Sequence, residues 1–196
     1  MEEKMPEKSV PEQVRGERVC EKILCTALDL VFELGFREVS MECIAARGGV
    51  AKTTIYRRWP NKAAVVMEAF MARFGPGTRF PPADSPVERI RLQMRRMARA
   101  FRGRDGALVK CLLAECQFDD ELAKEFSKRW TIPRREMATE VFREAIQAGE
   151  LRSDIDIGAA IDMLYAPMCY RLLTGAGPLS DEYVDGLFRQ ALRGLG

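Results

Sequence analysis

From Val19 to Leu34 apolar residues recur at spacings of three and four: Val19, Ile23, Leu24, Ala27, Leu28, Leu30, Val31 and Leu34. This is the period of one face of an α-helix. The same period returns in every later segment, and no stretch sustains the period-two alternation of a half-buried strand. A chain so patterned has to bury helix against helix, so the expected fold is all-α.

Glycine and proline divide the pattern. Gly35 stops the first helix, which is predicted from Glu17. Gly48-Gly49 ends a short helix over about 41–47, Pro60 ends another over about 51–59, and a further helix runs over about 61–74. Four helices therefore fill residues 17–74. Beyond them, helices are predicted over about 84–103, 106–118, 119–149, 155–174 and 180–194. Ser40, Asn61, Asp154 and Ser180 stand where N-caps belong, because a short polar side chain accepts an orphan N–H of the first turn. Residues 1–16, with Pro6, Pro11 and many charges, read as a flexible arm. The stretch 75–83 (GPGTRFPPA) reads as a linker between a domain at 17–74 and a second at 84–196.

Net charge is only +2, so bulk charge does not announce a polyanionic partner. Its distribution does. From Cys43 to Met67 there are five basic residues (Arg47, Lys52, Arg57, Arg58, Lys62) and no acid, whereas acids and bases interleave elsewhere. Within this stretch, Ile44 and Ala45 lie on one face of the first short helix, and Val50 and Ile55 on the inner face of the second. Gly49 sits where the chain turns sharply, a place for positive φ. Two short helices, a glycine turn and a small apolar junction describe a helix-turn-helix. The start of such a second helix enters the major groove, which puts Lys52 and Thr53 at base edges with Arg57 alongside. Thr53, Thr54, Tyr56 and Trp59 can hydrogen-bond or pack against phosphates while the basic groups, Arg58 among them, neutralise these, and Lys62 opens the next helix, where free N–H groups also favour an anion.

The segment resembles the DNA-binding motif of the TetR/AcrR family of bacterial regulators. The resemblance covers about residues 17–70 and rests on Gly35-Phe36, Ile44-Ala45, Gly49-Val50, Thr54-Ile55-Tyr56 and Asn61-Lys62. Two residues depart from the family pattern. Gly48 replaces the usual alanine, so fraying of the short helix is expected there, and Trp59 replaces the usual phenylalanine. The resemblance implies phosphate contacts at Thr54, Tyr56 and Lys62, major-groove positions for Lys52, Thr53 and Arg57, and an approach to DNA by Ser40 and Met41. It also implies the architecture: an N-terminal three-helix DNA-binding domain with a helix-turn-helix, joined to a helical ligand-binding and dimerisation domain. A repressor that binds a near-palindromic operator in double-stranded DNA as a homodimer, and is released by a small, largely apolar effector, is the function expected of such a chain. An activator would use the same fold.

Residues 84–196 carry no motif as specific. Met94, Met97, Phe101, Leu112, Cys116, Phe126, Trp130, Met137 and Met163 are candidate walls of an effector pocket, methionine being adaptable to varied apolar shapes. The stripes Ile161, Leu164, Met168, Leu172 and Val184, Leu187, Phe188, Ala191 are candidates for a four-helix dimer seam. The basic helix near 84–104, with Arg89, Arg91, Arg95, Arg96, Arg99, Arg102 and Arg104, reads as a solvated surface, with attraction for an anionic ligand as the alternative.

Histidine is absent, which removes His-based triads, His-type zinc sites and the commonest general base. With no nucleotide-binding glycine loop either, no enzyme is expected, and no metal or cofactor. The six cysteines lie in helical patterns and read as buried small hydrophobes of a reducing compartment. A thiol switch on the same scaffold is the rival. Cys20 and Cys25, like Cys111 and Cys116, are five apart, which on a helix points each pair about 140° apart and opposes a local disulfide. No apolar run reaches the roughly 18 residues of a membrane span. Residues 1–17 lack the apolar core of a secretory signal, so the expected location is the cytoplasm, without a membrane partner.

Overall fold

A computed structural model describes residues 12–195, and all its regular elements there are helical. Two compact units divide between Ala69 and Phe70, inside one helix rather than in the Gly/Pro stretch.

The first unit contains α1 (Glu12–Leu34), α2 (Met41–Gly48), α3 (Lys52–Tyr56) and the start of α4 (Lys62–Phe74). Helix α1 begins five residues before the expected Glu17, so residues 12–16 of the predicted arm are helical. The rest of that arm lies outside the described residues. Ile23, Ala27, Val31 and Phe36 are buried with Ile44, Ala45, Ile55 and Trp59. Complete burial of side chains of this size contributes ~1.5–3 kcal/mol each. Helix α1 packs on α2, and α2 on α3. Ser40 caps α2 by accepting the Cys43 N–H at 3.1 Å, and Asn61 caps α4 by accepting that of Ala64 at 2.9 Å. Gly48 does not fray: it is buried in the last turn of α2. The left-handed residue is Gly49 (φ 63°), whose turn lets the Gly49 and Val50 N–H groups bond back to the Ala46 and Ala45 carbonyls.

The second unit is built round α5 (Pro86–Ala100), which packs on α6 (Gly103–Glu115), α8 (Ile132–Gln147), α9 (Ile157–Thr174) and α10 (Asp181–Leu195). The expected single helix over 119–149 is two, α7 (Asp120–Phe126) and α8, joined by a π-helical turn at Ser127–Thr131. Ser180 caps α10 as predicted, through the Tyr183 N–H. Asp156, not Asp154, caps α9.

Two expectations for this unit change. The stretch 75–83 is not a loose linker: Pro76–Thr78 forms one 3₁₀ turn and Thr78 is fully buried. Gln93 donates to the Thr78 carbonyl at 3.0 Å, and Arg134 reaches the same residue twice. The arginines of α5 are also not simply solvated. Arg91 pairs with Glu88 of its own helix and, with Arg95, with Asp185; Arg99 pairs with Asp181, as does Arg102 just beyond the helix, and Arg89 pairs with Glu144. Acids of α10 therefore draw α5 against it, which a reading of α5 alone does not reveal.

Candidate nucleic-acid interface

Helix α3 is short, and two side chains four apart orient it. Ile55 is fully buried and Trp59, in the turn that follows, is 2% exposed. With these pointing inward, Lys52, Thr53, Tyr56, Arg57 and Arg58 are left exposed, and Thr54 lies between. The indole of Trp59 donates to Glu68 Oε2 at 2.8 Å, while Arg58 reaches Oε1 of the same carboxylate at 2.9 Å and stacks over the indole. A phenylalanine at 59 would lack that donor, so the departure from the family pattern has a local partner.

The basic face is more compensated than its sequence suggests. Arg47 pairs with Glu33 at 3.0 Å and Lys52 with Glu42 at 3.3 Å. The Glu42 carboxyl is held below the usual carboxylate range, first by its own backbone N–H and then by Lys52. Both pairs are exposed, and exposed pairs are weak and screened by solvent, so an incoming anion can displace the carboxylate at small cost. Arg57 is exposed and has no ion pair among the described residues. Lys62 donates to the carbonyls of Phe36 and Arg37, 3.0 Å from each. An ammonium has three N–H groups, so one remains for a phosphate.

Two side chains expected at the DNA face, Trp59 and Met41, point inward. Met41 is 6% exposed, part of the core that seats α2, and its side chain is not on the outer face. Ser40 remains half-exposed at the helix start. It lines a shallow groove with Arg37, Tyr56, Asn61 and Lys62. Arg37 and Asn61 were not singled out as ligands by sequence reasoning. Arg37 lies before the cap, and only the return of α4 brings it beside Tyr56.

In the second unit a cavity of about 220 Å³ opens between α5, α8 and α9. Of the nine candidate wall residues, Met97, Phe101, Phe126 and Trp130 line it. Met94 and Leu112 are instead fully buried core, Cys116 lies elsewhere, and Met137 and Met163 are exposed on outer faces. Missed were the polar lining residues Gln93, Arg134 and Tyr165, whose periodicity resembles that of ordinary helix positions. Phe70 and Phe74 of α4 stack against the same wall. Their ring centroids each lie 5.1 Å from that of Trp130, and Phe74 is 6.1 Å from Phe101.

The stripes expected to form a dimer seam are mostly occupied within the single chain, although Leu187 and Ala191 also line an outer groove. Ile161, Leu164, Met168, Val184, Phe188 and Ala191 are buried within the single chain, where they join α9 and α10 to the core. Leu172 and Leu187 are half-buried. The apolar residues left outside are Met163 (52% exposed), Tyr170 (61%) and Leu173 (42%), beside a shallow groove lined by Ala166, Pro167, Leu187 and Gln190.

No described helix is long and apolar enough to cross a membrane. No group of His, Cys, Asp or Glu among the described residues is arranged to hold a metal.

The chain matches two family profiles: residues 23–69 match that of the bacterial regulatory proteins of the tetR family, and residues 80–191 that of the tetracyclin repressor-like C-terminal domain. It is 38% identical over 181 residues to the HTH-type transcriptional regulator YdeS of Bacillus subtilis, covering 92% of this chain and 91% of that protein. Identity to the DNA-binding transcriptional repressor TetR of Mycobacteroides abscessus is 28% over 183 residues, covering 91% and 94%. Among solved structures, the TetR family transcription regulator SCO0332 superposes with a TM-score of 0.75 at 27% identity, covering 91% of this chain and 99% of that one. With an α3 anchored by Ile55 and Trp59 that turns Lys52, Thr53 and Arg57 outward, and with both profiles matched, the chain belongs to the TetR family of transcriptional regulators, which are not enzymes.

Proposed function

We propose that the chain is a repressor that binds a near-palindromic operator as a homodimer and leaves it when a small effector enters the cavity of the second unit. The observation that carries this reading is the orientation of α3. With Ile55 and Trp59 inside, Lys52, Thr53 and Arg57 face outward for the major groove. Ser40, Thr54, Tyr56, Arg58 and Lys62 then supply phosphate contacts, with Arg37 added by the groove they share. The repressor sense is supported by the similar Mycobacteroides abscessus protein, which is named a repressor.

A second copy supplies the second half-site, one helical turn or a multiple away. The exposed face of α9, with Met163, Ala166 and Tyr170, is the surface for that copy. Helix α4 is the proposed lever. Its Phe70 and Phe74 stack on the cavity wall, and the same helix continues back to Lys62. An effector that binds the two states with different affinity shifts the population between them. Thiol sensing gains no support from Cys20, Cys169 and Cys116, where burial raises the first two thiols and lifts the third to about 11, which disfavours the reactive thiolate; contrary to the expectation of six buried cysteines, Cys25 and Cys43 are exposed.

The test is selection of binding sites from genomic DNA with purified protein, followed by titration of the selected site at several salt concentrations. Lys52→Ala/Arg57→Ala should bind more weakly, with a shallower salt dependence by about one to two counterions. Binding equal to that of the unaltered protein at every salt concentration would overturn the assignment.

A further inference from the structure

The cavity lining contains three charged side chains: Arg134, Arg135 and Asp162. Arg135 and Asp162 pair with each other and are exposed. That pair is neutral, so the lining retains one uncompensated positive charge, on Arg134. No described carboxylate pairs with it. Its Nη1 donates to Thr78 Oγ1 at 2.6 Å and its Nη2 to the Thr78 carbonyl at 2.7 Å, both neutral acceptors. The guanidinium lies 4.2 Å over the Trp130 ring, another lining residue. Burial without a counter-ion lowers its pKa to about 10.

A guanidinium has five N–H donors. Two are used on Thr78, so three remain beside the cavity. Carrying a cation into such a place is costly unless an anion arrives to pair with it. The polar neighbours offer no anion: Gln93 and Tyr165 bond to each other, the phenol donating to the amide oxygen, and Gln93 donates an N–H to the same Thr78 carbonyl that Arg134 reaches. Apart from Thr131, the remaining surroundings, including Met97, Phe101, Phe126, Ile161 and Met168, are largely apolar.

We infer that the ligand of this cavity is a monocarboxylate with an apolar body, its carboxylate paired with Arg134 and its body lying among Met97, Phe101, Phe126 and Trp130. The planar fork of a guanidinium matches a carboxylate better than a point charge does. For size, a cavity of ~150 Å³ holds one benzene, so about 220 Å³ holds roughly nine or ten non-hydrogen atoms. The assignment rests on reading the cavity as the effector site and adds the chemical class of the effector. It gives a charged head group to the small, largely apolar molecule expected from sequence.

Octanoate, 1-octanol and octylamine are matched probes that differ in the head group. Calorimetric titration into the DNA-free protein at pH 7.5 should give octanoate a Kd at least tenfold below that of either other probe. Arg134→Met should weaken octanoate at least tenfold and leave 1-octanol unchanged, while Arg134→Lys should retain part of the preference. Equal affinity for octanoate and 1-octanol, preference for octylamine, or no octanoate binding would each overturn the inference. These measurements on the unaltered protein decide it even if Arg134→Met fails to fold. Release of fluorescent operator DNA is read separately. Octanoate that binds through Arg134 without releasing DNA would uphold the carboxylate assignment and refute the effector reading.

Discussion

Lys62 and Phe36 are held together twice: the ammonium donates to the Phe36 carbonyl at 3.0 Å and lies over the Phe36 ring, 4.6 Å from its centroid. With the second bond, to the Arg37 carbonyl, Lys62 ties the start of α4 to the connection that precedes α2. A residue expected to serve DNA alone therefore also organises the domain that presents α3.

Lys62→Met should accordingly lower stability as well as DNA affinity. Hydrogen bonds to a charged group that is only half-buried suggest a loss of ~1–2 kcal/mol, read from the midpoint of urea unfolding. A variant with weakened DNA binding and an unchanged midpoint would show that Lys62 acts on phosphate only.

Gly48→Ala should stabilise the chain. A methyl group there would meet only Val50 Cγ2 at 3.8 Å and Thr26 Oγ1 at 3.9 Å, ordinary contact distances. Alanine in a helix gains ~0.5–1 kcal/mol over glycine, visible as a higher urea midpoint. The same change at Gly49, where φ is 63°, should destabilise.

Asp185 accepts from both Arg95 and Arg91, and its carboxyl is held below the ordinary range, first by Arg95. A carboxyl whose folded pKa is lowered takes up fewer protons than in the unfolded chain. Its contribution is therefore complete above the unfolded value of ~3.9 and is lost as pH falls from there through the folded value. Asp185→Asn should lower stability at pH 7 and flatten the loss of stability below about pH 4, measured by chemical unfolding across pH.

The two apolar faces of α9 make opposite predictions. Tyr170→Asp lies on the exposed face and should yield a folded monomer in sedimentation analysis. Leu164→Asp is in the core, 1% exposed, and should fail to fold. A dimer persisting in Tyr170→Asp and Met163→Glu together would place the second copy elsewhere.

Sequence alone determined the all-helical class, the caps Ser40, Asn61 and Ser180, the glycine turn at Gly49 and the outward residues of α3. Each of these depends on neighbours within a turn or two: periodicity, a short polar side chain, positive φ. The remainder depended on which elements meet. Helix α9 has apolar side chains all round, so Ile161 and Met163, about 200° apart on the helix, look equivalent until packing on α5, α8 and α10 buries the first and leaves the second outside. Met41 reads as a DNA contact until α1 covers it. Lys62 reads as a free cation, and the α5 arginines as solvated, because the partners on other elements, such as Arg37 for Lys62 and Asp185 for Arg95, lie 25 or more residues away in the chain. Arg134 is one arginine among many in sequence. Only the folded second unit places it on a cavity wall with Thr78 and Trp130 and no carboxylate, since pairing of charges across a core is a property of tertiary structure.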